Sequence, residues 1–337
     1  MPLRLEPLLV AFIVSALSCV AIGGGAIRCL QRQRWLQPLR HNDCPPLQAF
    51  QLAKHGTPTM GGLLVLGVAA VMASLLGGLR SRAGWMVLGT ILIMGIVGVI
   101  DDVLKLTGPN GRGLRSGPKL IVALLLGASI GLMLSNSAEH YRTIVIPAVG
   151  RVALGWWFLH LSMFVVAGSA HAVNLTDGMD GLAAGCLTIA FLALALVAAL
   201  DPSSGITDAS AAVPLWCLCL AGACLGFLWF NAPPAAVFLG DVGALGLGAA
   251  LGVLALLSHA AFVLFIVGGI FVAEAISVML QVATYRYGHQ RRLFRVAPLH
   301  HHFQVGGVPE PKLVTRFWVA GLMLAALGCL AAFSVTG

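Results

Sequence analysis

Charge is scarce in this chain. Its 337 residues include 20 Lys+Arg and 12 Asp+Glu, 9% in all, where a water-soluble domain carries about 25%. A chain this poor in charge cannot wet a globular surface. With 59% hydrophobic residues it is not a disordered chain either. No hydrophilic stretch is long enough to fold as a separate soluble domain. The GK[ST] element of a phosphate-binding Walker loop is absent. No basic helix or aromatic-spaced basic strand is present, which argues against a nucleic-acid partner despite the net charge of +8. The eight cysteines fall mostly inside apolar stretches and suggest no disulfide framework. Cys217 and Cys219 form a CxC, but residues two apart on a helix point away from each other, so a shared metal is not expected.

Long apolar runs are abundant. Ten segments can cross a bilayer at about 20 residues per helix: roughly 7–27, 60–78, 83–100, 119–134, 156–175, 181–200, 211–230, 242–258, 260–284 and 313–333. The weakest boundary lies near 259, where only Ser258 and His259 interrupt the run. Helices satisfy their own backbone groups in lipid, and these runs do not alternate as barrel strands would. The first segment is too long for a signal-peptide core and follows Arg4 and Glu6, so it reads as a span. The expected fold is therefore an all-α polytopic membrane protein, residues 1–337 forming one domain. Of the 20 basic residues, 15 fall in the loops 28–54, 105–119 and 286–316. The positive-inside bias puts those loops in the cytoplasm and both termini outside. A β-branched run, TIVIP, suggests a short outer hairpin within 135–155.

Because acids are rare, their positions carry information. Asp101 and Asp102 end a span and repel each other unless a cation or donor intervenes; a solvated helix end beside Lys105 is the plainer alternative. In NLTDGMDGL, Asn174, Asp177 and Asp180 recur at i, i+3 spacing, suited to Mg²⁺ or sugar hydroxyls, or simply to a polar cap and turn. In NAPPAAVFLGDVGALGLG, Asn231 and two prolines stop one span and Asp241 opens the next, as a ligand or as an N-cap. APLHHHFQ concentrates His300, His301 and His302, and KHGTPTMGG adds Lys54. All five elements fall on one side by an orientation derived from Lys and Arg alone. Together they hold carboxylates for Mg²⁺, Lys and His for phosphate charge, and glycines for close approach, the parts of phosphoryl transfer in a cytoplasmic cleft. Glu274 is separate: it lies mid-span, seven residues from Gln281, and is either functional or a structural hydrogen-bond partner.

These motifs, in this order, resemble the bacterial phospho-N-acetylmuramoyl-pentapeptide-transferase family, or translocase I. The resemblance runs from about residue 54 to 304, and the hydropathy matches over nearly the whole chain. It implies ten membrane helices, a homodimer in the bacterial cytoplasmic (inner) membrane, and Mg²⁺ dependence. The implied substrates are UDP-MurNAc-pentapeptide and undecaprenyl phosphate, giving lipid I and UMP. On matching positions, it makes Asp241 the main Mg²⁺ ligand with Asp177 as a second. Asp101, beside Asp102, would deprotonate or orient the lipid phosphate. Asn174, Asp177 and Asp180 would line the nucleotide-sugar site, Phe238 would stack near the uracil, and Lys54, Lys119 and the three histidines would contact phosphates. Asn231 and Gln281 would be polar residues of the cleft. The chain departs from the family's usual pattern at Gln51, Leu239, Ala244 and Gln304. Direct attack of the lipid phosphate on the β-phosphate is the expected route, with an aspartyl-phosphate two-step route as the rival. A sibling transferase using UDP-N-acetylglucosamine is the alternative activity. A transporter is the alternative of another class, and only Glu274 clearly meets its need for midplane ionisable residues.

Overall fold

The computed structural model describes residues 5–36, 54, 56–108, 111–137, 142–200, 211–288 and 290–334. Asp43, Cys44, Gln51, Glu139, Asp201 and Asp208, and the loop before Lys54, lie outside the described residues. The described chain is almost wholly helical. The helices are α1 (Leu5–Arg32), α2 (Gly62–Leu75), α3 (Arg82–Thr107), α4 (Ser116–Ser137), α5 (Trp157–Thr176), α6 (Leu182–Leu200), α7 (Ala212–Asn231) and α8 (Gly240–Leu257). Then follow α9 (Ala261–Val267), α10 (Gly269–Tyr287), α11 (Leu299–Val305) and α12 (Glu310–Phe333). The expected hairpin is present: β1 (Thr143–Ile146) pairs antiparallel with β2 (Gly150–Ala153), Thr143 opposite Ala153 and Ile146 opposite Gly150.

Eight of these helices are long and apolar enough to cross a membrane, and nine if a bent pair counts as one span. Two of the ten expected segments differ in kind. Segment 60–78 yields α2, whose 14 residues rise only about 21 Å against a hydrocarbon core of about 30 Å. Segment 260–284 breaks at Gly268 into α9 and α10, which meet at 82°. The boundary near 259 is real, since Ser258 caps α8 and His259 has a positive φ of 55°. The break nine residues later has no comparable polar signal in the sequence.

Helix α8 lies at the centre, buried along nearly its whole length, with α3 and α5 as its principal neighbours. Close approach of α3 to α8 depends on Gly98, where a Cβ would collide with the backbone of Val242 and Asp241. Small residues at such crossings let membrane helices pack by van der Waals contact where lipid supplies no hydrophobic drive. The outward faces keep large apolar side chains exposed, among them Leu17, Trp85, Leu125, Leu322 and Met323. In water such a surface would aggregate; in lipid it is the solvated surface. At one end of the bundle, the C-terminal ends of α3, α5 and α7 meet the N-terminal ends of α4, α8 and α12. The polar residues collect there.

Candidate active site

The centre is built from two helix ends and a loop. Asp101 and Asp102 sit on the last turns of α3, and Asp241 is the second residue of α8. One oxygen from each of the three carboxylates lies within 4.8 Å of the others. Gly240, with φ of 75°, lets α8 start here; a Cβ on it would stand 2.7 Å from Asp102 Oδ2. Three clustered carboxylates repel strongly unless cations lie among them, and two lysines do. Lys105 Nζ is 2.6 Å from Asp101 Oδ2, 3.3 Å from Asp102 Oδ1 and 2.6 Å from Asp241 Oδ1. Lys119 Nζ is 3.2 Å from Asp101 Oδ1 and 3.0 Å from Asp241 Oδ2. Backbone donors complete the frame: Leu114 N–H donates to Asp101 at 2.7 Å and Val242 N–H to Asp102 at 3.2 Å. Two ammonium groups against three carboxylates leave a net negative centre of hard oxygen donors. That donor set suits Mg²⁺, which prefers carboxylate and phosphate oxygens.

Asp177 caps the C-terminus of α5 beside this triad. Its carboxylate accepts the Gly240 N–H, and burial, followed by the charges of Asp241 and Asp102, raises its pKa to about 7. Among the described residues the acids whose oxygens lie close enough together to share one metal ion are Asp101, Asp102 and Asp241, without Asp177. Asn174, half-buried, lies on the last turn of α5, one turn before it.

A second polar cluster lies around the turn after α5. Lys54 Nζ donates to Asp180 Oδ1 and to Glu310 Oε1, both at 2.6 Å, and stands 5.9 Å from the Phe238 ring centroid. Asp180 Oδ2 accepts from Ala235 N–H at 3.0 Å, and the Asp180 N–H donates to Glu310 Oε1 at 2.8 Å. Asn231 is buried: its Oδ1 accepts from Gly181 N–H at 3.1 Å and its Nδ2 donates to the Val237 carbonyl at 2.8 Å. It therefore ties the Asp180 turn to the loop that carries Phe238 and leads into α8 and Asp241. Gln281 does similar work on α10, exchanging hydrogen bonds with the backbone of Phe294 at 2.8 and 3.1 Å.

The three histidines lie on α11 and face three ways. His300 is fully buried against Glu274. His301 shares a 2.9 Å contact with Gln304, whose Nε2 reaches Glu310 at 3.4 Å. His302 Nδ1 accepts the Arg295 N–H at 3.1 Å. The sequence suggested that histidines add positive charge for phosphate. His301 does not: burial and then its neighbour His300 push its pKa down to about 4, so the ring is neutral near pH 7.

The structure thus brings Asp101, Asp102, Asp241 and Lys119 into one cluster, and Lys54, Asp180 and His301 into another, with Asp177 and Phe238 at their edges. It also places residues that the sequence reading did not assign. Lys105 is the most central cation. It stands four and three residues after Asp101 and Asp102, the helical spacing for an ion pair, so the sequence held that signal. Glu310 joins Lys54 and Asp180, which are 256 and 130 residues away, and no local pattern announces it.

A bundle of apolar helices with a net-negative, lysine-braced centre at one end is the architecture of a membrane-embedded transferase acting on phosphorylated substrates. Sequence comparison agrees: residues 84–259 match glycosyl transferase family 4. Residues 54–66 match phospho-N-acetylmuramoyl-pentapeptide-transferase signature 1. A phospho-N-acetylmuramoyl-pentapeptide-transferase of Thermodesulfovibrio yellowstonii is 40% identical over 334 residues, covering 96% of this chain and 91% of the relative. One from Desulfosudis oleivorans is 38% identical over 327 residues, covering 94% and 90%. The chain belongs to the phospho-N-acetylmuramoyl-pentapeptide-transferase family.

Proposed function

We propose that the protein transfers phospho-MurNAc-pentapeptide from UDP-MurNAc-pentapeptide to undecaprenyl phosphate, releasing UMP and forming lipid I. The observation that carries this reading is the convergence of three carboxylates and two lysines at one end of an apolar bundle. Asp101, Asp102 and Asp241 are the residues that would hold Mg²⁺, with Asp177 beside them. Bound there, the ion supplies charge neutralisation between two anionic substrates. A lipid phosphate oxygen attacks the β-phosphorus of the UDP-sugar; that P–O bond forms as the bond from β-phosphorus to the bridging oxygen breaks, and UMP leaves with the electron pair. Asp101 orients the attacking phosphate, and Lys105 and Lys119 offset the charge that gathers. Lys54 and Phe238 bind the nucleotide end, the ammonium near phosphate and the ring near uracil. Asn174, Asp177 and Asp180 face the sugar, supported by Asn231, Gln281 and the α11 histidines. Positioning and electrostatics supply most of the catalysis in such reactions.

The chain crosses the bacterial cytoplasmic membrane ten times with both termini outside, and works as a homodimer with its site on the cytoplasmic face. The clustering of 15 of 20 basic residues in three loops supports that orientation. In this count α9 and α10 make one crossing, and residues flanking α2 complete another. The test is UMP release by purified protein in detergent with Mg²⁺ and undecaprenyl phosphate, offering UDP-MurNAc-pentapeptide and UDP-N-acetylglucosamine in parallel. Turnover with the first alone is expected; turnover with the second alone would move the protein to a sibling activity. Exchange of labelled UMP into the UDP-sugar without lipid acceptor would overturn direct attack in favour of a covalent intermediate.

A further inference from the structure

Glu274 lies within the second turn of α10, fully buried. An ionised carboxyl inside a membrane helix is costly unless it is paired, and such residues tend to serve function. Among the described residues its carboxyl meets one partner, 26 positions on. The backbone N–H of His300 donates to Oε1 at 3.1 Å and Oε2 at 3.3 Å, and the Nδ1 of the same residue stands 3.1 Å from Oε2. The 82° bend at Gly268 sets the direction of α10 and so aims this carboxylate at α11. His300 has no exposed surface, and among the described residues neither ring nitrogen makes a hydrogen bond: Nδ1 stands against Oε2 at ion-pair distance, and Nε2 meets no partner. That nitrogen faces Gly178, where a Cβ would collide with it and approach Nε2 of His301 to 3.3 Å. Gly178 stands between Asp177 and Asp180.

We propose that Glu274 is a positioning residue of the transferase. It fixes the main chain and ring of His300, and through that ring holds α11 against the turn that carries Asp177 and Asp180. It touches no substrate and acts through His300. Buried partners that orient metal-ligating histidines are commonly worth about 10–100-fold in metal affinity or activity, and a carboxyl that orients His300 is expected to act on the same scale. The proposal rests on the reading of the α11 histidines and the Asp177–Asp180 turn as parts of the substrate site.

The test compares Glu274→Gln, His300→Ala and the double variant, in full-length protein, by kcat and KM for the nucleotide-sugar and by Tm. Glu274→Gln is expected to fold with a Tm near that of the parent and to lose about tenfold or more in kcat/KM, chiefly through KM. Glu274→Asp, which keeps the charge, should recover part of that loss. Adding Glu274→Gln to His300→Ala should cost little further, since the first acts through the second. Full additivity, or parental kinetics in Glu274→Gln with His300→Ala impaired, overturns the proposal alone. Parental kinetics in His300→Ala overturns the reading of the histidine run as well. Should Glu274→Gln not fold, Gly178→Ala probes the same contact from the other side. A raised KM there supports the proposal, and parental kinetics overturns it.

Discussion

The two polar clusters at the end of the bundle differ in how they are neutralised. Around Asp101, Asp102 and Asp241, two lysines face three carboxylates, and each ammonium is shared among several. Around Lys54, Asp180 and Glu310, the hydrogen bonds run on into backbone donors, Gln304 and the neutral ring of His301. The first cluster retains negative charge for a cation to meet. The second carries the same excess of one, a single ammonium against two carboxylates, but those carboxylates are separately engaged by backbone N–H groups and Gln304, so its worth is geometry. Removing charge from the first should therefore damage the chemical step, whereas loosening the second should damage binding.

The largest expected effect is in the first cluster. Asp101→Asn should lower kcat by about 10³-fold with little change in KM, as loss of an electrostatic stabiliser does; an equal loss in kcat/KM carried wholly by a raised KM would erase the distinction between the clusters. Lys119→Met comes next, with about 10²-fold in kcat, measured in the same UMP-release assay. Glu310→Gln follows: it strips the negative charge from the oxygen that Lys54 and the Asp180 N–H share, and should raise KM for the nucleotide-sugar about tenfold, near the value of a lost charged hydrogen bond, with kcat nearly unchanged. A large kcat effect there would give the second cluster a chemical role.

The smallest effect concerns pH. Asp177 has its pKa raised from 3.8 to about 7 in the folded protein. The folded state therefore holds that proton more tightly than the unfolded chain does. The stabilisation is full below about pH 3.8 and is lost as pH rises through about 7. In protein stripped of divalent cations, Tm should fall more between pH 5 and 8 than in Asp177→Asn. Parallel Tm curves for the two proteins would refute the shift.

Each cluster was legible in the sequence but for one central residue, and the two omissions have different physical reasons. Asp101, Asp102 and Asp241 stand at the edges of apolar runs, where a rare acid is conspicuous. Even Lys105, left unassigned, obeyed the i, i+4 spacing. Glu310 looks like any acid in the first turn of a helix; only the tertiary fold shows that it binds Lys54 and Asp180. The histidine run was conspicuous as a concentration, but the sequence does not show burial, which keeps the ring of His301 neutral near pH 7. The spans divide similarly. Hydropathy located ten apolar segments, yet hydropathy does not see direction, so the bend at Gly268 escaped it. That bend carries Glu274 to α11.

The most direct test of the central claim, that the Asp101–Asp102–Asp241 triad is the cation-dependent centre, is a Mg²⁺ titration of UMP release by Asp241→Asn beside the parent protein. The account predicts Mg²⁺-dependent turnover in the parent and a loss of about 10²-fold or more in the variant at every Mg²⁺ concentration, with Tm little changed. Parental turnover with the parental Mg²⁺ dependence in Asp241→Asn would contradict it.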